Sequence, residues 1–241
     1  MTLVLFNNLR SRDKTEAIER LIEGGTPNQD FFFMIILSIL TATFGLLVND
    51  LAVIIVSMLI APMLYPLLSL SLGIIMSDSK LISRSFYTIV KSFVLGAVAA
   101  AFATLLFSNH LDELTPEIIF RTKTTIPNVM IAVAAGFAGS FALVKPKLNE
   151  NLPGVAISVA LIPPLAVFGI GLAKLNFEVV TGSFILFLVN AGGIIFASMI
   201  TFSLMDFYKK RREAHEAAKE ADKKAEEEKQ RAEKKAEKES S

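Results

Sequence analysis

Apolar residues dominate six stretches of the chain, at roughly 31–48, 51–76, 86–107, 128–144, 153–173 and 179–205. A helix needs roughly 20 apolar residues, within about 17–25, to cross hydrocarbon. The pattern therefore predicts six transmembrane helices, and only Lys91 places a charge well inside one. Asn49-Asp50 alone joins the first two stretches, which predicts a tight helical hairpin. Ahead of them, Arg12 to Glu23 sets Ala17, Ile18, Leu21 and Ile22 on one face, and Gly24-Gly25 and Pro27 stop the pattern. This short amphipathic helix is expected on the membrane surface, or else as a solvated helix. Between the third and fourth stretches, Thr115-Pro116-Glu117 reads as a helix start on the outer surface: cap, proline at the first position, then an acid. Beyond Tyr208 the apolar pattern ends, and pairs such as Glu220–Lys224 and Glu227–Arg231 favour a solvated helix with weak self-association as the alternative.

Two of the apolar stretches carry prolines near their middle, in LIAPMLYP (Leu59 to Pro66) and LIPPLAV (Leu161 to Val167). Proline has no N–H and its ring crowds the preceding turn, so both helices are expected to kink or break. Freed backbone groups are tolerated at membrane depth only inside protein or beside a water-filled cavity. Shifting the chain by 102 residues superposes Val53, Ile55, Leu59, Ile60, Pro62 and Leu70 on Val155, Ile157, Leu161, Ile162, Pro164 and Leu172. Each half would hold an odd number of spans, so the second would enter the membrane from the opposite side. That is the inverted-repeat plan of many transporters, which place their sites at broken helices.

Charge refines this picture. Of 24 Lys+Arg and 23 Asp+Glu, residues 206–241 hold 12 and 11, so the net charge of +1 sums an apolar body and a balanced tail. Arg10, Arg12, Lys14 and Arg20, then Lys80 and Arg84, then Lys145 and Lys147, then 209–212 flank one side of the proposed spans. The other side has Arg121, Lys123 and Lys174. The positive-inside rule places both termini in the cytoplasm, and the 209–212 cluster is expected at anionic headgroups. The first thirty residues lack the basic-then-apolar order of a cleavable signal peptide. The chain has no cysteine, and His110 and His215 fall outside the spans, as do all carboxylates except at their ends. No zinc-protease, phosphate-loop or serine–histidine pattern is present, so an enzyme, a cofactor, a metal site or a nucleic-acid partner is not expected.

The candidate chemistry is therefore sparse. Pro62, Pro66, Pro163 and Pro164 would free the carbonyls of Met58, Pro62, Val159 and Ala160, which suit a cation or water. Helix ends at the same depth would favour an anion instead. The structural alternative is a kink filled by neighbouring side chains. Ser57, Ser69, Ser71 and Ser158 lie on the same spans, with lining or self-bonding as the options. Asn190, near the centre of span six, either bonds another helix or faces a cavity. Lys91 either snorkels or meets substrate. Asp50 either caps span two or receives an entering cation, and Arg121 either draws anions to an outer vestibule or anchors at the interface. Ala132, Gly136 and Ser140, and Gly96, Ala100 and Thr104, recur at packing spacing and suit close helix contacts.

Three stretches resemble a known family. LAVIIVSMLIAPMLYP (Leu51 to Pro66), RTKTTIPNVMIAVAAGFAGSFAL (Arg121 to Leu143) and VAISVALIPPLAV (Val155 to Val167) are similar to segments of the membrane proteins grouped as domain of unknown function 389, from bacteria and archaea. The resemblance covers roughly 30–205 and differs at Val56 and Tyr65, near positions usually held by glycine. It implies a membrane location and a helical fold. Arg121 matches a family position.

The expected architecture is an all-α integral membrane protein with six transmembrane helices as a 3+3 inverted repeat, helices two and five broken by proline. Residues 1–30 form a cytoplasmic segment with an amphipathic helix. Residues 31–205 form the membrane domain, with halves at about 31–107 and 128–205, and 206–241 a charged cytoplasmic helix. The expected function is a transporter or channel for a small solute or ion in the plasma or inner membrane. The alternative is a membrane scaffold or sensor that recruits partners through its cytoplasmic helices. A homo-oligomer is compatible with a chain of 26.3 kDa, which encloses little cavity alone.

Overall fold

The computed structural model describes residues 11–108, 113–145 and 153–239; the side chains of 11, 153–160, 209, 211–213 and 233–239 are outside the description. Ten α-helices follow one another among the described residues: α1 (Ser11–Gly24), α2 (Gln29–Leu47), α3 (Leu51–Ile60), α4 (Leu64–Met76), α5 (Ser79–Phe107), α6 (Pro116–Phe120), α7 (Ile126–Val144), α8 (Pro153–Ala173), α9 (Phe177–Leu204) and α10 (Arg211–Glu239). A 3-10 turn, Phe207–Lys210, joins α9 to α10.

Four of these helices, α2, α5, α7 and α9, are long and apolar enough to cross a membrane. The pair α3 and α4 makes a fifth if taken as one span bent by 52°. The described apolar part of α8, Leu161–Ala173, is too short to qualify alone. Large side chains on the outside of the bundle are apolar, including Phe33, Val94, Phe102, Met130 and Phe196, as expected of helices facing lipid rather than water.

Helix α8 is the centre of the bundle. It packs on α2, α3, α4, α5, α7 and α9, and every residue from Leu161 to Val167 is buried. Small residues let its neighbours come close. A Cβ added at Gly169 would lie 2.5 Å from the Ala100 Cβ and 2.6 Å from the Ala97 carbonyl on α5. The spacing read from the sequence is realised: Gly136 abuts the Ile194 backbone of α9, and Ala132 lies beside Gly193.

Three helical hairpins share one turn. In each, a glycine carbonyl accepts the N–H of an Asp or Asn five residues on: Gly45 from Asp50 at 2.8 Å, Gly73 from Asp78 at 2.9 Å and Gly171 from Asn176 at 2.9 Å. The residue between has positive φ: Asn49 (57°), Ser77 (52°) and Leu175 (54°). The Asp or Asn then caps the next helix, accepting the N–H groups two and three residues on. A Cβ on each glycine would sit 3.0 Å from the backbone nitrogen of Ile54, Ile82 or Val180, nine residues later. The turn satisfies the last carbonyls of one helix and the first N–H groups of the next, as a helix reversal requires.

Two expectations change. The apolar face of α1 does not face outward. Ala17, Ile18, Leu21 and Ile22 are buried by packing on α4, α10 and the 3-10 turn. An amphipathic stripe needs an apolar surface, and protein supplies it as well as lipid does. The tail is likewise partly docked: Ala214, Ala218 and Ala221 of α10 are buried, and from Lys223 to Ala232 the side chains are exposed apart from half-buried Ala225.

Candidate functional site

The break in span two follows from Pro62. A proline disfavours helical backbone in the residue before it, and Ala61 is extended at φ −79°, ψ 124°. α3 ends at Ile60 and α4 restarts at Leu64. Pro66 falls in the first turn of α4, where a missing N–H costs nothing. The break is enclosed: Met58, Ala61, Met63 and Leu64 are buried, and Pro62 is half-buried.

Span five behaves differently. Pro163 and Pro164 lie inside α8, which runs unbroken from Pro153 to Ala173. The expected break is absent because α8 is walled in by other helices, which hold the segment helical despite two missing N–H groups. α8 packs on both arms of the broken span. The side chains of Ser158, Val159 and Ala160 lie outside the described residues.

Hydroxyl groups around the break bond to backbone. Ser38, on α2, donates to the Ser57 carbonyl in the last turn of α3 at 2.7 Å. Ser57 donates to Ile54 within its own helix at 2.6 Å, and Ser71 to Leu67 at 2.9 Å. Ser69 reaches out of its helix to the Leu21 carbonyl at the end of α1, at 3.1 Å. Ser38 is absent from the candidates drawn from the sequence. A lone serine in an apolar run signals a hydrogen bond but not its partner, and no spacing rule links residue 38 to 57.

The arm α4 is roofed by the α1–α2 turn. A Cβ on Gly24 would lie 2.6 Å from the Tyr65 ring, and one on Gly25 3.4 Å from the Pro66 nitrogen. Tyr65 thus fills the space beside a glycine of another element.

The remaining candidates are local. Asp50 caps α3 by accepting from Ala52 and Val53 at 2.9 and 3.3 Å. Arg121 pairs with Glu117 one turn earlier and donates to the Glu117 carbonyl at 3.0 Å. Lys91 lies over the Phe32 ring at 4.1 Å, near Tyr87 at 5.8 Å. Asn190 is buried on α9. The structure brings Ser57, Met58, Pro62 and Pro66 together at one break and packs that span on the helix holding Pro163 and Pro164; it places Asp50, Lys91 and Arg121 in contacts of their own.

At the α4–α5 turn, Asp78 caps α5 and lies 3.1 Å from the His215 Nδ1 of α10. Burial pushes its carboxyl up, but N–H donation from Leu81 and Lys80 and contact with His215 outweigh this and hold its pKa below the ordinary value.

Comparison with known sequences places these residues in a family. Residues 58–196, from the last turn of α3 into α9, match the profile described as "Domain of unknown function (DUF389)". The chain belongs to the DUF389 family. A relative from Methanocaldococcus jannaschii, "Uncharacterized protein MJ0678", is 32% identical over 204 residues, covering 81% of this chain and 63% of the relative. This DUF389 chain therefore spans less than two thirds of that protein's length. No solved structure matches it. α1 and α10 of this DUF389 protein lie outside the matched residues.

Proposed function

We propose that this chain is a six-span membrane protein that moves a small solute or ion, with its path beside the proline break of span two and the double proline of α8. Its two halves enter the membrane in opposite directions, and both termini lie in the cytoplasm of a plasma or inner membrane. The observation that carries the reading is the enclosed α8, which holds the double proline in its buried segment and packs on both arms of a bent span. Proline-weakened backbone of this kind is costly in lipid and suits a site between helices. The repeat is supported by its turns. Spans two and five end in the same glycine–Asx reversal, 98 residues apart, while Pro62 and Pro164 are 102 apart. The difference of four residues is about one helical turn, and span two carries it between its proline and its closing turn.

A second reading, a scaffold that recruits partners, is favoured by the hydroxyls at the break, which are already bonded to backbone. Flux of ions and small solutes through liposomes holding the purified protein separates the two. We expect flux that falls in Pro62→Ala with Pro164→Ala. No flux from the intact protein, or unchanged flux in the double variant, defeats the transport reading. Single cysteines at Asn49 and Lys80, in a chain with no other cysteine, are expected to label from opposite sides of the membrane.

A further inference from the structure

A continuous line of contacts joins the charged tail to the proline break. Tyr65 and Pro66, at the start of the α4 arm, lie against Gly24 and Gly25. The next residue, Thr26, is buried; its hydroxyl donates to the Ile22 carbonyl at 2.6 Å and accepts from the Arg84 Nη2 of α5 at 2.5 Å. Arg84 is in turn paired with Asp222 of α10, Nε to Oδ1 at 2.8 Å, close in distance though not aligned as a hydrogen bond. One turn of the line is doubled by His215 of α10 on Asp78, which closes the α4–α5 hairpin. A single helix thus clasps the α1–α2 turn and the far end of α4.

The clasp is built to come apart. The Arg84 side chain is 11% exposed while Asp222 is 59% exposed, so one partner is fixed in the body and the other faces water. The apolar side chains that α10 buries among the described residues are small, Ala214, Ala218 and Ala221, and remove little apolar area from water. A leucine or isoleucine stripe would hold far more firmly. Removing Asp222 leaves a largely buried guanidinium short of its counter-charge, which makes the pair a sensitive point. From Lys223 to Ala232 the helix is exposed apart from Ala225, and Ala225, Glu226 and Lys229 face a cleft shared with Phe32, Tyr87 and Lys91.

We propose that α10 is a latch on the proline break. Docked, it pins the Gly24–Thr26 turn over Tyr65 and Pro66 and holds α4 in place. Released, it lets α4 move about Ala61–Met63. The movement is a property of the fold; that it gates permeation rests on the function proposed above.

The test uses the full-length protein in liposomes with one cysteine at the break, Met63→Cys, and Ala61→Cys as a second probe. Both positions are buried. With the latch intact, maleimide labelling is slow. Asp222→Arg, a change at an exposed side chain with helix content checked by circular dichroism, is expected to speed labelling roughly fivefold to thirtyfold. Asp222→Glu, which keeps the charge and leaves the Arg84–Thr26 hydrogen bond in place, is expected to keep labelling at the slow rate. Equal labelling with and without Asp222→Arg overturns the latch, as does fast labelling in Asp222→Glu. Faster labelling with no flux from any variant leaves the latch standing and removes the transport reading instead.

Discussion

Replacing Ser38 by alanine isolates the contact that closes the broken end of α3. The Ser38 hydroxyl donates to the Ser57 carbonyl at 2.7 Å, and both residues are fully buried. A net hydrogen bond contributes about 0.5–1.5 kcal/mol, and a buried acceptor deprived of its donor costs about 1–3 kcal/mol. Hydrogen bonds between membrane helices average about 0.6 kcal/mol and reach about 1.7 kcal/mol. The carbonyl sits in the last turn of a helix that cannot continue through Pro62, and protein encloses it. The upper part of the membrane range therefore applies, and Ser38→Ala should lose about 1–2 kcal/mol. Ser57→Ala is the control: its hydroxyl bonds only the Ile54 carbonyl one turn back, and its loss should cost about 0.5 kcal/mol or less. Both variants are compared by reversible unfolding in mixed micelles, with far-UV circular dichroism as the signal. Equal losses in the two variants would show that the inter-helix bond does nothing special at the break.

Other outcomes follow from the same geometry. Gly169→Ala forces its Cβ to within 2.5 Å of Ala100, so α8 and α5 must separate and thermal stability should drop by about 1–3 kcal/mol; Gly192→Ala, with nothing within 4 Å of the new Cβ, should be neutral or gain up to about 1 kcal/mol. Leu175 holds φ at 54° and is exposed, a conformation costing a non-glycine residue about 1–2 kcal/mol. Leu175→Gly should therefore raise the unfolding midpoint, and a lowered midpoint would refute strain at that turn. Asp78 has a folded-state pKa below the ordinary value of 3.8. Its contribution to stability is thus full above that value and lost as pH falls through the lower, folded-state one. Asp78→Asn, which still caps a helix, should lose that acid-side fall in a stability–pH profile measured by unfolding.

Legibility in the sequence depended on whether a residue's partner lay close along the chain. Helix starts at Asp50 and Thr115 could be read because a cap acts within three residues. The break at Pro62 could be read because Ala61 feels the next residue's ring. The same rule failed at Pro163 and Pro164, where six surrounding elements hold α8 helical and local preference loses. The stripe of α1 was legible as apolar, but periodicity says nothing about whether lipid or another helix covers it. The alanines of α10 looked too small for a seam; against α1 their small size is what admits a close approach. Ser38, Tyr65 and Arg84 act on residues far away in sequence, and a single chain offers no signal for such pairs.

The central place of α8 also constrains how the molecule is made. α2, α3, α4, α5 and α7 precede it along the chain, and α9 follows. A helix that emerges late yet ends in the middle must enter a bundle still open on one side. The glycine–Asx reversals close the α2–α3 and α4–α5 hairpins within chain that precedes α8, and the third joins α8 to α9, so these three turns can form from local sequence before the wall around α8 is complete.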